Sequence, residues 1–267
     1  MASMSEFREF IITSLQISDA KMVSEIGTES GGMSALLAQW LKPRGGSLSC
    51  IDPSPRSEFL AWLSTTNGVS HIAQASLDAL KELPCPDAWL VDGDHNWYTV
   101  FHELEQIFRS FYDANKHPLI FAHDVGWPCA RRDMYYAPER IPQEFRNRYT
   151  YNAGVTLDHS RLMPNRGIRG GNEFAYADEE GGPRNGVLTA VEDALALQKR
   201  AGHALAFVRI PAVFGLGVIF DPNAPWSDSL ASYLLPFHEN PLIGRLERNR
   251  LANFLCVLDV VDTSRPT

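Results

Sequence analysis

The stretch KMVSEIGTESGGMSALLAQWL, residues 21–41, decides the fold class of this chain. Residues 21–26 form a short run typical of a β-strand, three glycines interrupt the segment that follows, and residues 34–41 have the pattern of a helix. Glycines at such a turn let the backbone approach a ligand closely, and a helix start offers free N–H groups. The stretch therefore predicts a strand, a ligand-binding turn and a helix.

The same alternation of strand and helix continues outward from this stretch. Further strands are predicted at 47–51, 69–73, 88–91, 119–122, 204–210 and 214–220. Helices are predicted at 59–63, 77–83, 98–111, 187–198 and 242–258. Such alternation implies a parallel sheet covered on both faces, and the last two strands form an antiparallel hairpin. Gly215 and Gly217 predict a β-bulge in that hairpin, with a close approach of backbones as the alternative.

Composition excludes several classes of protein. With 267 residues, 45% of them hydrophobic, the chain can bury a sizeable core. A net charge of −8 argues against a general nucleic-acid binder. No apolar run approaches the roughly 18 to 20 residues of a membrane helix, and the first residues lack a signal-peptide pattern. The four cysteines form no CxxC pair, so a cytoplasmic protein without a disulfide framework is expected.

The chain is expected to form one domain over residues 1–267. Residues 125–186 lack periodicity and are rich in Gly, Pro, Tyr and Arg, which predicts an inserted lid that recognises the substrate, or a disordered segment. Residues 227–267 are predicted to form a helical extension, with contacts through Leu242, Leu246, Phe254 and Leu258. The apolar ends at 7–15 and 242–258 would pack on the core or on a second subunit, and a homodimer is the default expectation.

An acidic residue after the second strand strengthens the prediction of a ligand site. Asp52 lies 25 residues after Gly27, and an acid at this place commonly binds ribose hydroxyls in nucleotide-binding sheets. The glycine spacing is not GxGxxG, which weakens a dinucleotide interpretation. The two features together predict a ribose-bearing cofactor without the need for a pyrophosphate.

Further polar residues follow the fourth and fifth strands. The segment Asp92-Gly-Asp-His-Asn-Trp-Tyr98 ends the fourth strand, and His123-Asp124 ends the fifth. Ligands of open α/β sheets bind at this edge, so Asp92 and Asp124 are predicted to face each other. Carboxylate oxygens suit Mg²⁺. The alternative is that Asp94 caps the next helix and His95 packs on it.

These motifs together resemble class I S-adenosylmethionine-dependent methyltransferases. The resemblance rests on residues 25–34, Asp52, 92–98 and 123–124, and it covers residues 20–125. It is nearest to the small-molecule type with a DGDH-like motif, which includes sugar O-methyltransferases of antibiotic pathways. It implies a Rossmann-like methyltransferase fold, S-adenosylmethionine as cofactor and a role in natural-product biosynthesis.

The resemblance also implies roles for individual residues. Glu25, Gly27 and Ser34 would hold the methionine part of the cofactor, Asp52 the ribose, and Ser76 would lie near the adenine. Ser30 and Asp92 are the other implied cofactor contacts. Metal-binding members use the first Asp of the fourth-strand motif and two acids after the fifth strand. This chain has Asp92, but His123-Asp124 replaces the acidic pair. The implied Mg²⁺ ligands are thus Asp92, His123 and Asp124, unless His123 is structural or carries a proton.

Methyl transfer needs an acceptor aligned with the S–CH₃ bond, and a hydroxyl acceptor must lose its proton during attack. His95 has an ordinary pKa of about 6.5 and is predicted to be the base, and Asp92 is the second predicted catalytic residue. Mg²⁺ on Asp92 and Asp124 would bind the acceptor oxygen and lower its pKa.

The insertion is expected to determine the acceptor. Between residues 131 and 169 there are eight arginines against four acids, and arginine binds carboxylates or phosphates in bidentate fashion. The predicted substrate contacts are Trp127, Arg131, Arg132, Tyr135 and Tyr136. They favour a small-molecule acceptor that is anionic, densely polar or glycosylated. The alternative is that these arginines pair with the protein's own acids.

Two other functions stay open at this point. An NAD-dependent oxidoreductase would use a similar sheet, although the GxGxxG spacing is not found. A non-catalytic or hydroxylase-associated relative would keep the fold and the cofactor site alone. Comparative binding of the two cofactors separates the first of these from a methyltransferase.

Overall fold

A computed structural model describes residues 4–263, so residues 1–3 and 264–267 of the predicted domain and extension lie outside the described part. The strands, in chain order, are β1 Met22–Ile26, β2 Ser47–Ile51, β3 Val69–Ile72, β4 Ala88–Val91, β5 Leu119–His123, β6 Met134–Tyr135, β7 Tyr149–Thr150, β8 Ala153–Thr156, β9 His159–Pro164, β10 Ala175–Ala177, β11 Ala206–Ile210 and β12 Leu216–Phe220. The helices are α1 Arg8–Ile17, α2 Gly32–Leu41, α3 Ser57–Leu63, α4 Ser76–Ala79, α5 Trp97–Asp113, α6 Val187–Arg200, α7 Ser227–Leu234 and α8 Pro241–Thr263.

The central sheet has seven strands in the order β3-β2-β1-β4-β5-β12-β11. Strands β1 to β5 run parallel, whereas β12 is antiparallel to both β5 and β11. This arrangement confirms the predicted α/β class, the mostly parallel seven-stranded sheet and the antiparallel hairpin of a Rossmann-like methyltransferase fold. The strand order reverses between β1 and β4, and ligands of such sheets bind at this switch point.

Apolar layers cover both faces of the sheet, because successive side chains of each strand point to opposite faces. In β4, Trp89 and Val91 join a cluster with α5 and α6, whereas Ala88 and Leu90 join one on the opposite face with α1, α2 and α7. The N-terminal apolar segment packs on this second cluster rather than staying exposed. Its buried apolar residues are Phe7, Ile11 and Leu15.

The insertion is folded, although no strand was predicted in it. Strands β6, β10 and β7 form a three-stranded sheet, and β8 pairs with β9 in a hairpin. Asp133 is fully buried and accepts hydrogen bonds from Trp97 N and Gly186 N, both at 2.7 Å. One carboxylate thus joins both ends of the insertion to the central domain. Side chain-to-backbone hydrogen bonds carry no periodic signal, which is why the sequence pattern missed this order.

The predicted bulge at Gly215 is wrong, since the pairing of β12 with β5 and β11 is continuous. Gly215 has φ +92°, and a Cβ there would lie 2.5 Å from the backbone N of Gly126. The glycine is thus required for a close approach between two backbone segments.

The C-terminal helix α8 contacts the protein through a face that only partly matches the predicted one. Of the four predicted contacts, Leu242, Leu246 and Phe254 are 63%, 59% and 42% exposed, and Leu258 is half-buried. The buried residues Leu251 and Leu255 were not predicted. The true contact face is displaced around the helix from the predicted one, because the apolar residues of α8 surround the helix and do not define a single stripe. Within residues 4–263, no helix is long and apolar enough to cross a membrane.

Candidate functional site

A large cleft opens at the carboxyl ends of the central parallel strands. Its volume is about 1980 Å³. One side consists of the segments that follow β1, β2, β3 and β4, and the opposite side consists of the insertion and α8. Typical pockets for one ligand measure roughly 300 to 1,000 Å³. The cleft therefore has room for two ligands side by side.

Gly27 brings the β1 loop onto the end of β4. It has φ +83°, and a Cβ at this position would lie only 2.1 Å from the carbonyl oxygen of Asp92. Gly27 N also donates a hydrogen bond of 2.9 Å to Ile51 O. Any larger residue would push apart the ends of β1 and β4, which form the floor of the cleft.

Asp52 organises the glycine loop from the neighbouring strand. Its Oδ2 accepts hydrogen bonds from Thr28 N at 3.0 Å, Thr28 Oγ1 at 3.1 Å and Glu29 N at 3.2 Å. Its Oδ1 accepts one from Ser54 N at 2.8 Å. Asp52 lines the cleft, so the carboxylate that shapes the loop is also placed to meet a ligand.

Glu25 is a buried carboxyl group at the base of the cleft. Burial raises its pKa to about 8, although hydrogen bonding with Ser34 opposes this shift. Ser34 Oγ donates to Glu25 Oε2 at 2.5 Å, and Cys50 Sγ lies 3.7 Å from the same oxygen. Glu25 therefore rests protonated near neutral pH, and a cationic ligand group would favour its ionised form.

The other predicted cofactor residues have different positions. Ser76, at the start of α4, lines the cleft. Ser34 is fully buried and serves as the partner of Glu25. Ser30 is exposed and is not among the cleft residues. The structure thus brings Glu25, Gly27, Asp52 and Ser76 to the cleft but leaves Ser30 outside it.

Two aspartates and two histidines meet at the tips of β4 and β5. His95 Nε2 lies 2.8 Å from Asp124 Oδ2 and 3.6 Å from Asp92 Oδ1. His123 Nδ1 lies 3.0 Å from Asp124 Oδ2 and 3.1 Å from Asp92 Oδ1. The sequence prediction that Asp92 and Asp124 face each other is thus matched by this geometry, with the histidines on either side.

His123 is held as a cation by its surroundings. Its Nδ1 faces the two carboxylates, and its Nε2 lies 3.1 Å from the carbonyl oxygen of Val213. Because every partner accepts, both ring nitrogens must carry a proton. Burial favours the neutral ring, but the charges of Asp92 and Asp124 outweigh it and raise the pKa of His123 well above its ordinary value.

His95 is also buried, at 8% exposure, yet its two nitrogens differ. Burial favours the neutral ring, but the charge and hydrogen bond of Asp124 raise the pKa of His95 to about 10. Its Nδ1 is buried and has no hydrogen-bond partner within residues 4–263. His95 lines the cleft beside Tyr136, with 5.8 Å between the ring centroids.

A divalent ion could be held by Asp92, His95 and Asp124, whose ligand atoms lie within 4.8 Å of one another. His123 does not belong to this set, because its ring nitrogens are protonated toward the carboxylates and Val213 O. The predicted ligand His123 is therefore replaced by His95. A donor set of two carboxylates and one imidazole fits ions that accept nitrogen, such as Mn²⁺, better than Mg²⁺.

The side of the cleft opposite the glycine loop is mainly aromatic. Tyr136, Phe174 and Tyr176 contact one another edge to face, with centroid distances of 6.1 and 5.3 Å. Phe254 of α8 also lines this side. Arg140 lines the cleft, is exposed, and makes no ion pair within residues 4–263.

Four of the five predicted substrate contacts lie elsewhere. Arg131 pairs with Glu192, and Arg132 is buried and donates hydrogen bonds to the carbonyl oxygens of Ala177 and Ser160. Tyr135 donates to Asp133 at 2.7 Å, and Trp127 lines a separate cavity of about 520 Å³. Tyr136 is the predicted contact that lines the cleft. The insertion's arginines mostly satisfy the protein's own acceptors, which was the alternative interpretation.

Several cleft residues were missed by the sequence prediction. Thr28 lies in the glycine loop itself, but a threonine there has no distinctive signal. Arg250, Phe254 and Leu258 recur at four-residue intervals on α8 and line the cleft together. Phe254 and Leu258 were predicted as packing contacts of α8 and not as cleft residues, and Arg250 was not predicted. The cleft forms where α8 meets strand ends that lie far earlier in the chain, so the sequence pattern alone does not reveal it.

The family comparison matches the part of the chain that contains most of strand β1, strands β2 to β5 and the loops between them. A family model described as a methyltransferase domain matches residues 24–125, less than half of the chain. The sequence matches no curated protein significantly.

Several solved structures of methyltransferases align with most of this chain at low sequence identity. An O-methyltransferase from Bacillus cereus in complex with SAH has 13% identity and a TM-score of 0.49, covering 83% of this chain and 82% of its own. SAH-bound PaMTH1 from Podospora anserina has 14% identity and a TM-score of 0.48, covering 79% and 76%. A putative caffeoyl-CoA O-methyltransferase from Staphylococcus aureus has 12% identity and a TM-score of 0.46, covering 81% and 83%. Likeness at this level says nothing about a substrate. Residues 24–125, which carry the glycine loop, Asp52 and the aspartate–histidine cluster, thus match a methyltransferase domain.

Proposed function

We propose that the protein transfers a methyl group from S-adenosylmethionine to a hydroxyl of a small-molecule acceptor. One observation carries the proposal: a single cleft contains the glycine loop, Asp52 and the Asp92–His95–Asp124 cluster. This arrangement offers a cofactor site and a group of proton acceptors next to each other. Residues 4–263 would act as one domain, with the insertion and α8 forming the acceptor side.

Several residues of the cofactor side support S-adenosylmethionine as the ligand. Asp52 is placed to accept hydrogen bonds from ribose hydroxyls, and Ser76 lies farther along the same side toward the adenine. Glu25 would ionise when it meets the cationic amino group of the methionine part, because that charge reverses the effect of burial. Ser34 would then hold the Glu25 carboxylate in place.

The chemistry of the transfer depends on alignment and on removal of one proton. The sulfonium supplies an activated methyl group, so the protein must place the acceptor oxygen in line with the S–CH₃ bond. Tyr136, Phe174 and Tyr176 would orient a flat or ring-shaped acceptor beside His95. The acceptor proton would pass to the cluster formed by His95, Asp92 and Asp124.

His95 must be neutral before it can accept this proton, and its resting pKa of about 10 opposes that role. A divalent ion held by Asp92 and Asp124 would supply positive charge that lowers the pKa of a bound hydroxyl. The same charge would offset the carboxylates and return the His95 pKa toward neutrality. His95 Nε2 can serve either as a ligand or as the base, but not as both at once.

The acceptor would combine a ring with an anionic or polar group. The aromatic wall supports a ring, and Arg140, which has no ion pair within the described residues, supports a carboxylate or phosphate. Secondary metabolites of a natural-product pathway have this chemistry. A cytoplasmic homodimer without nucleic-acid partners remains part of this proposal.

The test is methyl transfer with purified protein, S-adenosylmethionine and Mn²⁺ or Mg²⁺. Phenols, sugar phosphates and amine analogues of both serve as acceptors, and release of S-adenosylhomocysteine is measured. We expect release with a hydroxylated class and loss of at least about 100-fold in His95→Gln, within the range of acid–base catalysis. Faster release with the amines would contradict transfer to oxygen.

A further inference from the structure

A strained turn lies between the aspartate–histidine cluster and the C-terminal helix. Val213 and Phe214, which join β11 to β12, have φ values of +43° and +66°. This left-handed region is unfavourable for residues other than glycine, and most of all for a β-branched side chain such as valine. Two such residues in succession persist only where the surroundings hold them. Asp124, in the cluster itself, also has a positive φ of +58°.

Helix α8 supplies the groups that hold this turn. Glu247 Oε1 accepts a hydrogen bond of 3.0 Å from Phe214 N. The carboxylate of Glu247 is in turn bound by Arg250, with Nε–Oε2 at 2.7 Å and Nη2–Oε1 at 2.8 Å. The guanidinium of Arg250 lies over the Phe214 ring, 4.9 Å from its centroid. The backbone and the side chain of Phe214 are thus both fixed from α8.

The other end of the turn contacts the cluster directly. The carbonyl oxygen of Val213 lies 3.1 Å from Nε2 of His123. His123 Nδ1 in turn lies about equally far from Asp92 and Asp124, at 3.1 and 3.0 Å. The imidazole ring therefore bridges the two carboxylates, and a change in its orientation would weaken its contact with each of them. A flip of the strained turn would remove the acceptor that holds this ring.

We infer that Glu247 is a positioning residue of the active site and that it acts through the turn at Val213–Phe214 on His123. The inference rests on the proposed function for its meaning in catalysis, because His123 itself is argued to bridge the aspartates and not to react. Through Glu247, the C-terminal helix α8 would thus help to position His123, although α8 lies far from the strand ends in sequence.

The experiment observes the ring N–H protons of His123 by NMR at one fixed pH, assigned by their absence in His123→Gln. In the wild-type chain the Nε2–H should exchange slowly with solvent, because Val213 O accepts it. Glu247→Ala removes the acceptor of Phe214 N and should speed this exchange by about tenfold or more, as expected for the loss of one charge-assisted hydrogen bond. Glu247→Gln keeps an oxygen for Phe214 N and should preserve most of the slow exchange.

Arg248→Ala is the matched control, since Arg248 is the next residue on α8 and its side chain is exposed. It should leave the His123 signal unchanged. Unchanged exchange in Glu247→Ala, or an equal change in Arg248→Ala, overturns the inference. If Glu247→Ala does not fold, Arg250→Gln releases the same carboxylate and should give a smaller acceleration; no acceleration there overturns the inference as well.

Binding of S-adenosylhomocysteine to the same samples separates the two proposals. Its affinity should stay within about twofold in Glu247→Ala, because within residues 4–263 no hydrogen bond or ion pair joins Glu247 or the turn to the glycine loop, and a twofold change is well below the effect of one lost contact. Absent binding in the wild-type chain would refute the proposed function, whereas the His123 exchange would still decide the role of Glu247.

Discussion

The two sides of the cleft differ in how their sequence specifies their structure. The cofactor side is built from strand ends and short loops that follow one another within residues 22–124. The acceptor side joins an irregular insertion to a helix that starts more than 50 residues after it ends. Local periodicity and glycine positions reveal the first side, whereas contacts distant in sequence create the second. The sequence therefore predicts functional residues best where consecutive strand ends and their loops form the site.

Gly27→Ala should give the largest effect on cofactor binding, because the added methyl group would enter the point where the cofactor side is most tightly packed. The added Cβ would lie 2.1 Å from Asp92 O at φ +83°. We expect affinity for S-adenosylhomocysteine to fall by about 100-fold or more, which corresponds to roughly 2 to 3 kcal/mol of strain and displacement. Titration calorimetry measures the change.

Gly45→Ala is the control for this substitution. Gly45 has φ +65°, but nothing lies within 4 Å of the position that an added Cβ would take. The backbone cost of about 1 kcal/mol should appear in stability alone, with cofactor affinity unchanged. An equal loss of affinity in both variants would show that strain anywhere weakens the site, and would remove the special role of the Gly27–Asp92 contact.

Arg132→Ala tests whether an insertion arginine supports the fold or the acceptor. Its side chain is 2% exposed and donates to two backbone carbonyls, which would lose these hydrogen bonds. We expect a loss of about 2 to 4 kcal/mol in the free energy of unfolding, measured with urea. Arg131→Ala, which removes an exposed pair with Glu192, should cost less than about 1 kcal/mol. Equal costs would contradict the structural role of Arg132.

The sequence predicted more of the fold than of the candidate site. The seven sheet strands follow from apolar runs between turn residues, and Asp52, Asp92 and Asp124 follow from their places at strand ends. The same reasoning put Arg131 and Arg132 in the acceptor site, because charge composition does not reveal which arginine finds a partner inside the protein. Arg140 differs from them only in its tertiary surroundings.

Glu25 provides a pH test of the cofactor side. Its folded pKa, raised by burial to about 8, lies above the ordinary value of about 4.3, so the folded state binds the proton more tightly. This contribution to stability is complete below about pH 4.3 and is lost as the pH rises through 8. The stability difference between wild type and Glu25→Gln should therefore fall with a slope of up to about 1.4 kcal/mol per pH unit in this range.

Urea unfolding of both variants from pH 5 to pH 8 gives this difference directly. Subtracting Glu25→Gln removes the titration of every other group that the substitution leaves unaltered. A difference that stays constant or rises with pH would mean that Glu25 is ionised in the folded protein. Its proposed response to the amino group of the cofactor would then have no basis.

The smallest effect is expected on the outer face of α8. Leu246→Ala should change the free energy of unfolding by less than about 0.5 kcal/mol, because Leu246 is 59% exposed. Leu251→Ala, on the buried face of the same helix, should cost about 2 to 4 kcal/mol. A large cost at Leu246, dependent on protein concentration, would instead identify this face as the interface of the proposed homodimer.

Calorimetric titration with S-adenosylhomocysteine tests the central claim most directly, with NAD as the competing ligand and Asp52→Ala as the matched variant. The proposed function predicts micromolar binding of S-adenosylhomocysteine, a loss of at least about tenfold in Asp52→Ala, and no binding of NAD. Absence of S-adenosylhomocysteine binding, or tighter binding of NAD, would contradict a methyltransferase and leave the α/β fold as the result.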